Sequence, residues 1–145
     1  MAIAHASPIL LEMIDDILTR LLVRLGISHA EALMRFNLAP LDIRRDIAQL
    51  GLIHRTVLNK GPPHFKTLFP RIQSINGHFR SVWDRAHGSN VSYIKHSIFG
   101  LIGCYNRLPF DIISIDDVSP FQGELQNLVR NALPLDSLWR TYFRH

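Results

Sequence analysis

Apolar residues between positions 8 and 25 recur at the spacing of one helical face, and this stripe constrains the fold more than any other feature. Its members are Ile9, Leu10, Met13, Ile14, Ile17, Leu18, Leu21, Leu22 and Leu25. Such spacing predicts an amphipathic helix. Pro8 suits its first turn, and Gly26 suits the position after its last turn. A stripe this wide must be covered, either by the remainder of the domain or by a neighbouring molecule.

Similar signals predict further helices and no pair of strands. Ser28 and Glu31 form an S-x-x-E capping box, and Ser119 with Pro120 repeats the start signal of the first helix. We therefore predict an all-α fold with five or six helices in an irregular bundle. The expected helices cover approximately residues 8–25, 29–36, 40–59, 94–106 and 119–132, with single turns before Pro70 and after Asp136.

The predicted organisation has three parts within one domain, which is the usual number for a chain of 145 residues. A helical region covers residues 8–69, and a C-terminal helical region covers residues 94–145. Between them, residues 70–93 show neither helical nor strand periodicity and contain turn signals such as Asn76-Gly77. We expect this segment to be a basic, poorly ordered connection.

Composition excludes several classes of protein. Hydrophobic residues make up 47% of the chain and charged residues 19%, which is typical of a globular domain. Cys104 is the single cysteine, so an internal disulfide and a cysteine-based zinc module are both excluded. No apolar run approaches the roughly 18 residues of a membrane span, and the first residues lack the features of a signal peptide. We expect an intracellular protein with no membrane partner, in either the nucleus or the cytoplasm.

The positive charge is concentrated in the middle of the sequence. The net charge is +4, yet residues 61–107 alone carry six lysines and arginines against the single Asp84. Arginine suits bidentate phosphate contacts, so this distribution indicates a nucleic-acid backbone as one partner, with a solvated surface as the alternative. The candidate phosphate-binding residues are Arg44, Arg45, Arg55, Lys60, Lys66, Arg71, Arg80, Arg85 and Lys95.

Two features of this basic region have two interpretations each. Arg44, Ala48, Gly51 and Arg55 share one ridge of a helix, with the arginines roughly 16 Å apart along its axis. The small residues between them allow close approach of another helix or of a nucleic-acid backbone. The aromatic residues of the region either stack on bases or fix the segment to the core. These aromatic residues are Phe79, Trp83 and Tyr93.

Motifs for catalysis are lacking. Asp116-Asp117 resembles the metal-binding aspartate pair of polymerases, but the flanking residues lack the apolar strands and the third acid of such sites. The sequence contains no phosphate-binding loop, zinc-binding helix motif or nucleophile elbow. The eight histidines have no ligand spacing, and His54 lies within an apolar arc that predicts a packed core residue. We predict no enzyme activity, metal, cofactor or small-molecule substrate.

One stretch resembles a known family. Residues 30–65, AEALMRFNLAPLDIRRDIAQLGLIHRTVLNKGPPHF, are similar to the region after the polymerase core in the reverse transcriptases of non-LTR (LINE-type) retrotransposons. The first predicted helix resembles the thumb segment before that region, and residues 97–129 resemble the closing portion of such proteins. Counterparts of the fingers, the palm, the catalytic aspartates and the endonuclease are absent from this sequence.

The resemblance implies a parent protein that copies RNA into DNA, with thumb helices that track the template–primer backbone. From it we expect a non-catalytic remnant of a reverse transcriptase that contacts RNA or DNA backbone without sequence specificity. The missing reverse transcriptase core is a second partner implied by the resemblance. The alternative function is a small helical protein–protein interaction module, in which the stripe of residues 8–25 docks on a partner. A translated relic without function is the third hypothesis.

Overall fold

A computed structural model describes residues 8–36, 38–73, 78–88, 90–91, 94 and 97–132. Within them the chain forms seven α-helices and one 3₁₀ helix, η1 (Ile98–Leu101). The α-helices are α1 (Pro8–Leu25), α2 (His29–Phe36), α3 (Leu41–Val57), α4 (Phe65–Leu68), α5 (Ile102–Tyr105), α6 (Phe110–Ile113) and α7 (Val118–Ala132). An isolated bridge pairs the extended backbone of Arg71 and Val82. The predicted all-α class is confirmed, and the predicted turn after Asp136 lies outside the described residues.

The connection between α1 and α2 forms as its sequence predicts. Gly26 has a φ of +68°, a left-handed conformation that glycine adopts without steric cost. The Ile27 N–H then donates to the Leu22 carbonyl at 2.9 Å and closes the helix end. Ser28 Oγ accepts the Glu31 N–H at 3.1 Å, which is the first half of the predicted capping box. The Glu31 carboxylate accepts from Arg35 at 2.6 Å.

The core is built around α3 and α7, which run in opposite directions. Leu50 and Ile53 of α3 and Phe121 and Leu125 of α7 are all completely buried. Close contacts between the helices join later residues of α3 to earlier residues of α7, since His54 stacks on Phe121 and Lys60 bonds to Asp117 just before α7. This pairing places the end of α3 beside the start of α7.

Gly51 is a point of close approach between these helices. A Cβ atom at this position would lie 2.9 Å from Cδ of Gln122 and closer still to its Nε2. The helix-packing interpretation of the ridge is therefore confirmed at Gly51. Ala48, Arg44 and Arg55 remain exposed, so the packing does not extend along the whole ridge.

The connection between residues 70 and 93 is held by the core where it is described. Val82 is completely buried, and its N–H donates to Asn106 Oδ1 at 2.9 Å. Asn106 Nδ2 donates in return to the Val82 carbonyl at 2.7 Å. The hydrophobic core includes side chains from all three predicted regions, 8–69, 70–93 and 94–145. The division into those regions stays a prediction.

The helical elements before and after position 109 differ from the sequence prediction. The helix expected over 94–106 is replaced, in its described part, by η1 and the four-residue α5. Pro109 directly precedes α6, and its carbonyl accepts the N–H groups of Ile112 and Ile113 in that helix. Proline lacks the N–H that a helix interior needs but is compatible with a helix start.

Candidate functional site

The nine predicted phosphate-binding residues fall into two groups in the structure. Lys95 lies outside the described residues, so eight positions are described. Five of these eight cations donate from a terminal Nη or Nζ nitrogen to acceptors of the same chain. The five are Arg45, Lys60, Arg71, Arg80 and Arg85.

Arg80 is the most deeply held of these cations, with a side chain only 12% exposed. Its Nη1 donates to the carbonyls of Ile113 and Ile115 at 2.5 and 2.9 Å. Its Nη2 donates to Asp116 Oδ1 at 2.6 Å, and this ion pair lowers the pKa of the Asp116 carboxyl. Arg80 therefore fixes the connection between α6 and α7, and its guanidinium is not available to a phosphate.

The aspartate pair at 116 and 117 is bound by cations of its own chain. Lys60 Nζ donates to the Asp116 carbonyl at 2.6 Å and to Asp117 Oδ1 at 2.9 Å. Arg80 forms an ion pair with the Asp116 carboxylate. No group of three or more metal-ligating side chains occurs in the described part of the chain. The pair thus anchors the start of α7 to the end of α3.

A buried histidine completes this anchor. His54 Nε2 donates to the Ile115 carbonyl at 2.7 Å, so its Nδ1 is the acceptor for the Tyr105 hydroxyl at 2.9 Å. Its ring stacks on Phe121, with centroids 3.9 Å apart and planes 7° from parallel. Burial lowers the pKa of His54 to about 4. The predicted packed core histidine is confirmed, and its burial favours the neutral imidazole.

His78 is a second buried histidine that sequence reasoning did not identify. Its Nε2 donates to the carbonyl of Tyr105 at 2.9 Å, so Tyr105 is bound at both its hydroxyl and its backbone. Burial lowers the pKa of His78 and raises that of Tyr105. These residues form a polar network inside the core.

The other three bound arginines also have structural partners. Arg45 donates from both terminal nitrogens to the Asp15 carboxylate, at 3.0 and 3.2 Å, and links α3 to α1. Arg71 donates to the carbonyls of Phe79 and Ser81. Arg85 donates to the Leu68 carbonyl at 3.0 Å.

Arginines of the same chain lie over the exposed aromatic rings of the basic region. Phe79 and Trp83 are about half exposed, with guanidinium carbons of Arg80 and Arg85 at 4.9 and 5.4 Å from their ring centres. Tyr93 lies outside the described residues. An intramolecular cation on a ring face competes with a base that would stack there.

Three predicted phosphate-binding residues are exposed and have terminal nitrogens without a partner in the described part of the chain. The side chains of Arg44 and Lys66 make no hydrogen bond or ion pair there, and Arg55 uses only its Nε, toward the Lys60 carbonyl. Arg44 and Arg55 thus present guanidinium groups on one side of α3.

Many of the exposed apolar residues in the described part of the chain lie on α1. Leu22 of this helix is buried, at 4% exposure, and Ile14 and Leu18 are half-buried. More than half of each side chain is exposed at Ile9, Leu10, Met13, Ile17, Leu21, Val23 and Leu25. We call Met13, Ile17, Leu21 and Leu25 the α1 apolar face. This chain's described residues do not cover it.

No family model, curated protein or solved structure matches the chain. Among the helices that the structure describes, none has both the length and the apolar character to cross a membrane. Two surfaces are candidates for function: the exposed arginines of α3 and the α1 apolar face.

Proposed function

We propose that this chain is a small helical module that binds another protein through the α1 apolar face. The observation that carries the proposal is the exposure of that face, which reaches 66% at Ile17 in the middle of the helix. Contiguous apolar patches on a folded chain mark interaction sites. Each large aliphatic side chain that a partner covers contributes roughly 1.5–3 kcal/mol of gross transfer free energy.

The rest of α1 is already engaged with its own chain, which fixes the direction of the face. Leu22 packs inward, Asp15 pairs with Arg45, and Thr19 Oγ1 lies 3.0 Å from Nε2 of His29. These contacts hold the helix against α2 and α3. A partner therefore meets a preformed helix, with little ordering cost on binding.

Substitution of Ile17 by aspartate should leave the fold intact. We expect the free energy of unfolding to change by less than about 0.5 kcal/mol, because Ile17 is exposed. Leu22→Ala on the same helix should lower it by roughly 2–4 kcal/mol, because it leaves a cavity at a buried position. Urea denaturation of both variants measures the difference. Equal losses would mean that the chain covers its own α1 face, which contradicts the proposal.

A photo-crosslinking residue at position 17 tests the docking role directly. We expect adducts with protein at position 17 and none at position 12, whose Glu12 is exposed on another side of α1. Unmodified chain should compete with the adduct, and the Ile17→Asp chain should not. Adducts with nucleic acid at position 17, or equal competition by both chains, would contradict the proposal.

A second candidate function is contact with an RNA or DNA backbone by a non-catalytic remnant of a retrotransposon reverse transcriptase. The observation that favours it is the exposed pair Arg44 and Arg55 on one side of α3. Their separation, roughly 16 Å along the helix, spans several phosphates of one strand. The resemblance of residues 30–65 to reverse transcriptases supports the same candidate.

The salt dependence of nucleic-acid binding tests this second candidate. If both arginines bind phosphates, Arg44→Ala with Arg55→Ala should reduce the slope of log affinity against log salt by roughly 1.4–1.8. The fold should remain, because both side chains are exposed. The control is Arg20→Ala with Arg24→Ala on α1, which removes the same charge. Fluorescence anisotropy with a labelled RNA gives the slope, and an unchanged slope in the first variant contradicts phosphate binding.

A further inference from the structure

The α1 apolar face has charges beside it that specify a partner. Asp16 and Arg20 lie next to each other at one edge of the face, one helical turn apart. Both are exposed, and neither takes part in an ion pair within the described residues. An edge with an acid followed by a base is complementary in charge to the same edge of a second helix that runs antiparallel to it.

From this complementarity we propose that the occupant of the α1 apolar face is the same face of a second copy, packed antiparallel. The inference rests on the proposed docking role of α1 and names its partner. With the twofold axis at Ile17, that residue meets Ile17 of the copy, and Met13 meets Leu21 of the copy. At 1.5 Å per residue, Asp16 lies about 3 Å along the axis from Arg20 of the copy, and the symmetry makes this pair twice.

The opposite orientation lacks this charge pairing. In a parallel pair related by a twofold axis along the helices, Asp16 and Arg20 lie on the opposite side of the interface from Asp16 and Arg20 of the copy, so they form no ion pair between the copies. The parallel pair also aligns the two helix dipoles, whereas the antiparallel pair opposes them. Charge therefore selects the antiparallel arrangement, while the apolar side chains supply the affinity.

The size of the face indicates a reversible dimer. The 18 residues of α1 span about 27 Å, so one helical face is smaller than the roughly 800 Å² per partner of a standard interface. We expect a dissociation constant in the micromolar range or weaker. Such a dimer exchanges readily, and it is detected by its dependence on concentration.

Sedimentation of the full chain over a wide concentration range tests the dimer. Ile17→Asp should weaken it at least about tenfold, because two carboxylates then meet at the axis. Asp16→Arg and Arg20→Asp should each weaken it roughly five- to tenfold. The double variant with both changes should return to within about twofold of the native chain. Glu12→Arg is the matched control, and it makes the same charge change away from the face without weakening the dimer.

Other outcomes overturn the inference in distinguishable ways. A dimer that responds to Ile17→Asp but not to the charge exchanges overturns the antiparallel arrangement and leaves the docking role standing. A chain that stays monomeric, with Met13 oxidised by peroxide as fast as free methionine, overturns the dimer alone. A monomer in which Met13 is protected overturns the docking role as well, because the chain then covers its own face.

Discussion

Replacing Arg80 by alanine should lower the free energy of unfolding by roughly 2–4 kcal/mol, an unusually large effect for an arginine in a basic segment. The change removes three hydrogen bonds that end on the connection between α6 and α7. It leaves the Ile113 carbonyl without its guanidinium donor. A buried acceptor without a hydrogen-bond donor costs about 1–3 kcal/mol. The rest of the loss comes from the arginine stem, because the side chain is only 12% exposed.

Arg44→Ala is the matched control, since it removes the same group from an exposed position of α3. We expect its free energy of unfolding to stay within about 0.5 kcal/mol of the native value. Denaturant titration of the two variants separates structural from surface arginines. Equal stability of the two variants would mean that the Arg80 contacts contribute nothing to the fold, and would return Arg80 to the phosphate-binding set.

Arg80 also illustrates why the candidate site was only partly predictable. The excess of cations between residues 61 and 107 is a property of composition, and it correctly identifies a basic segment. Whether a guanidinium faces solvent depends on the carbonyls nearby, and those of Ile113 and Ile115 are more than thirty positions away. No local periodicity carries such information. The number of available cations was therefore overestimated, while the exposed positions of Arg44 and Arg55 agree with the predicted ridge.

The helices were more predictable than their contacts. The start and end of α1 and the cap of α2 follow from local steric and hydrogen-bonding rules that act within four residues. His54 was predicted to be buried because its position in the apolar arc of α3 is also a local property. Its partners, Tyr105 and Ile115, are 51 and 61 positions away, and they depend on how α5 and α7 pack on α3.

The apolar stripe of α1 also shows that local periodicity does not predict contacts between elements. Its periodicity correctly predicts the helix and the need for a cover, but periodicity says nothing about what supplies the cover. In the structure Leu22 faces the core while Ile17, five positions earlier, is exposed. The stripe is wider than one packing contact needs. One part of it can therefore be buried while another part is exposed. That surplus width is the physical basis of the proposed docking role.

Acidification should destabilise the chain between pH 6.5 and 4 through His54. The unfolded chain binds a proton on this imidazole at its ordinary pKa of 6.5, whereas the folded chain does so only near a pKa of about 4. In this interval the unfolded state binds more protons, so falling pH favours unfolding. The stability is fully present above pH 6.5 and about 3 kcal/mol of it is lost by pH 4. The lowered pKa of His78 acts in the same direction.

The physical cause of this pH dependence is the burial of the His54 ring, which disfavours its charged form. A second proton on Nδ1 would remove the acceptor of the Tyr105 hydroxyl and leave a charge in a completely buried ring. His54→Gln keeps a hydrogen-bonding side chain without the titration, so its stability should fall less steeply from pH 6.5 to 4. Denaturant titrations across this interval measure both chains, and the imidazole signals of the native chain report the pKa directly. Parallel curves for the two chains, or a His54 pKa near 6.5, would show that burial does not hold the His54 ring neutral.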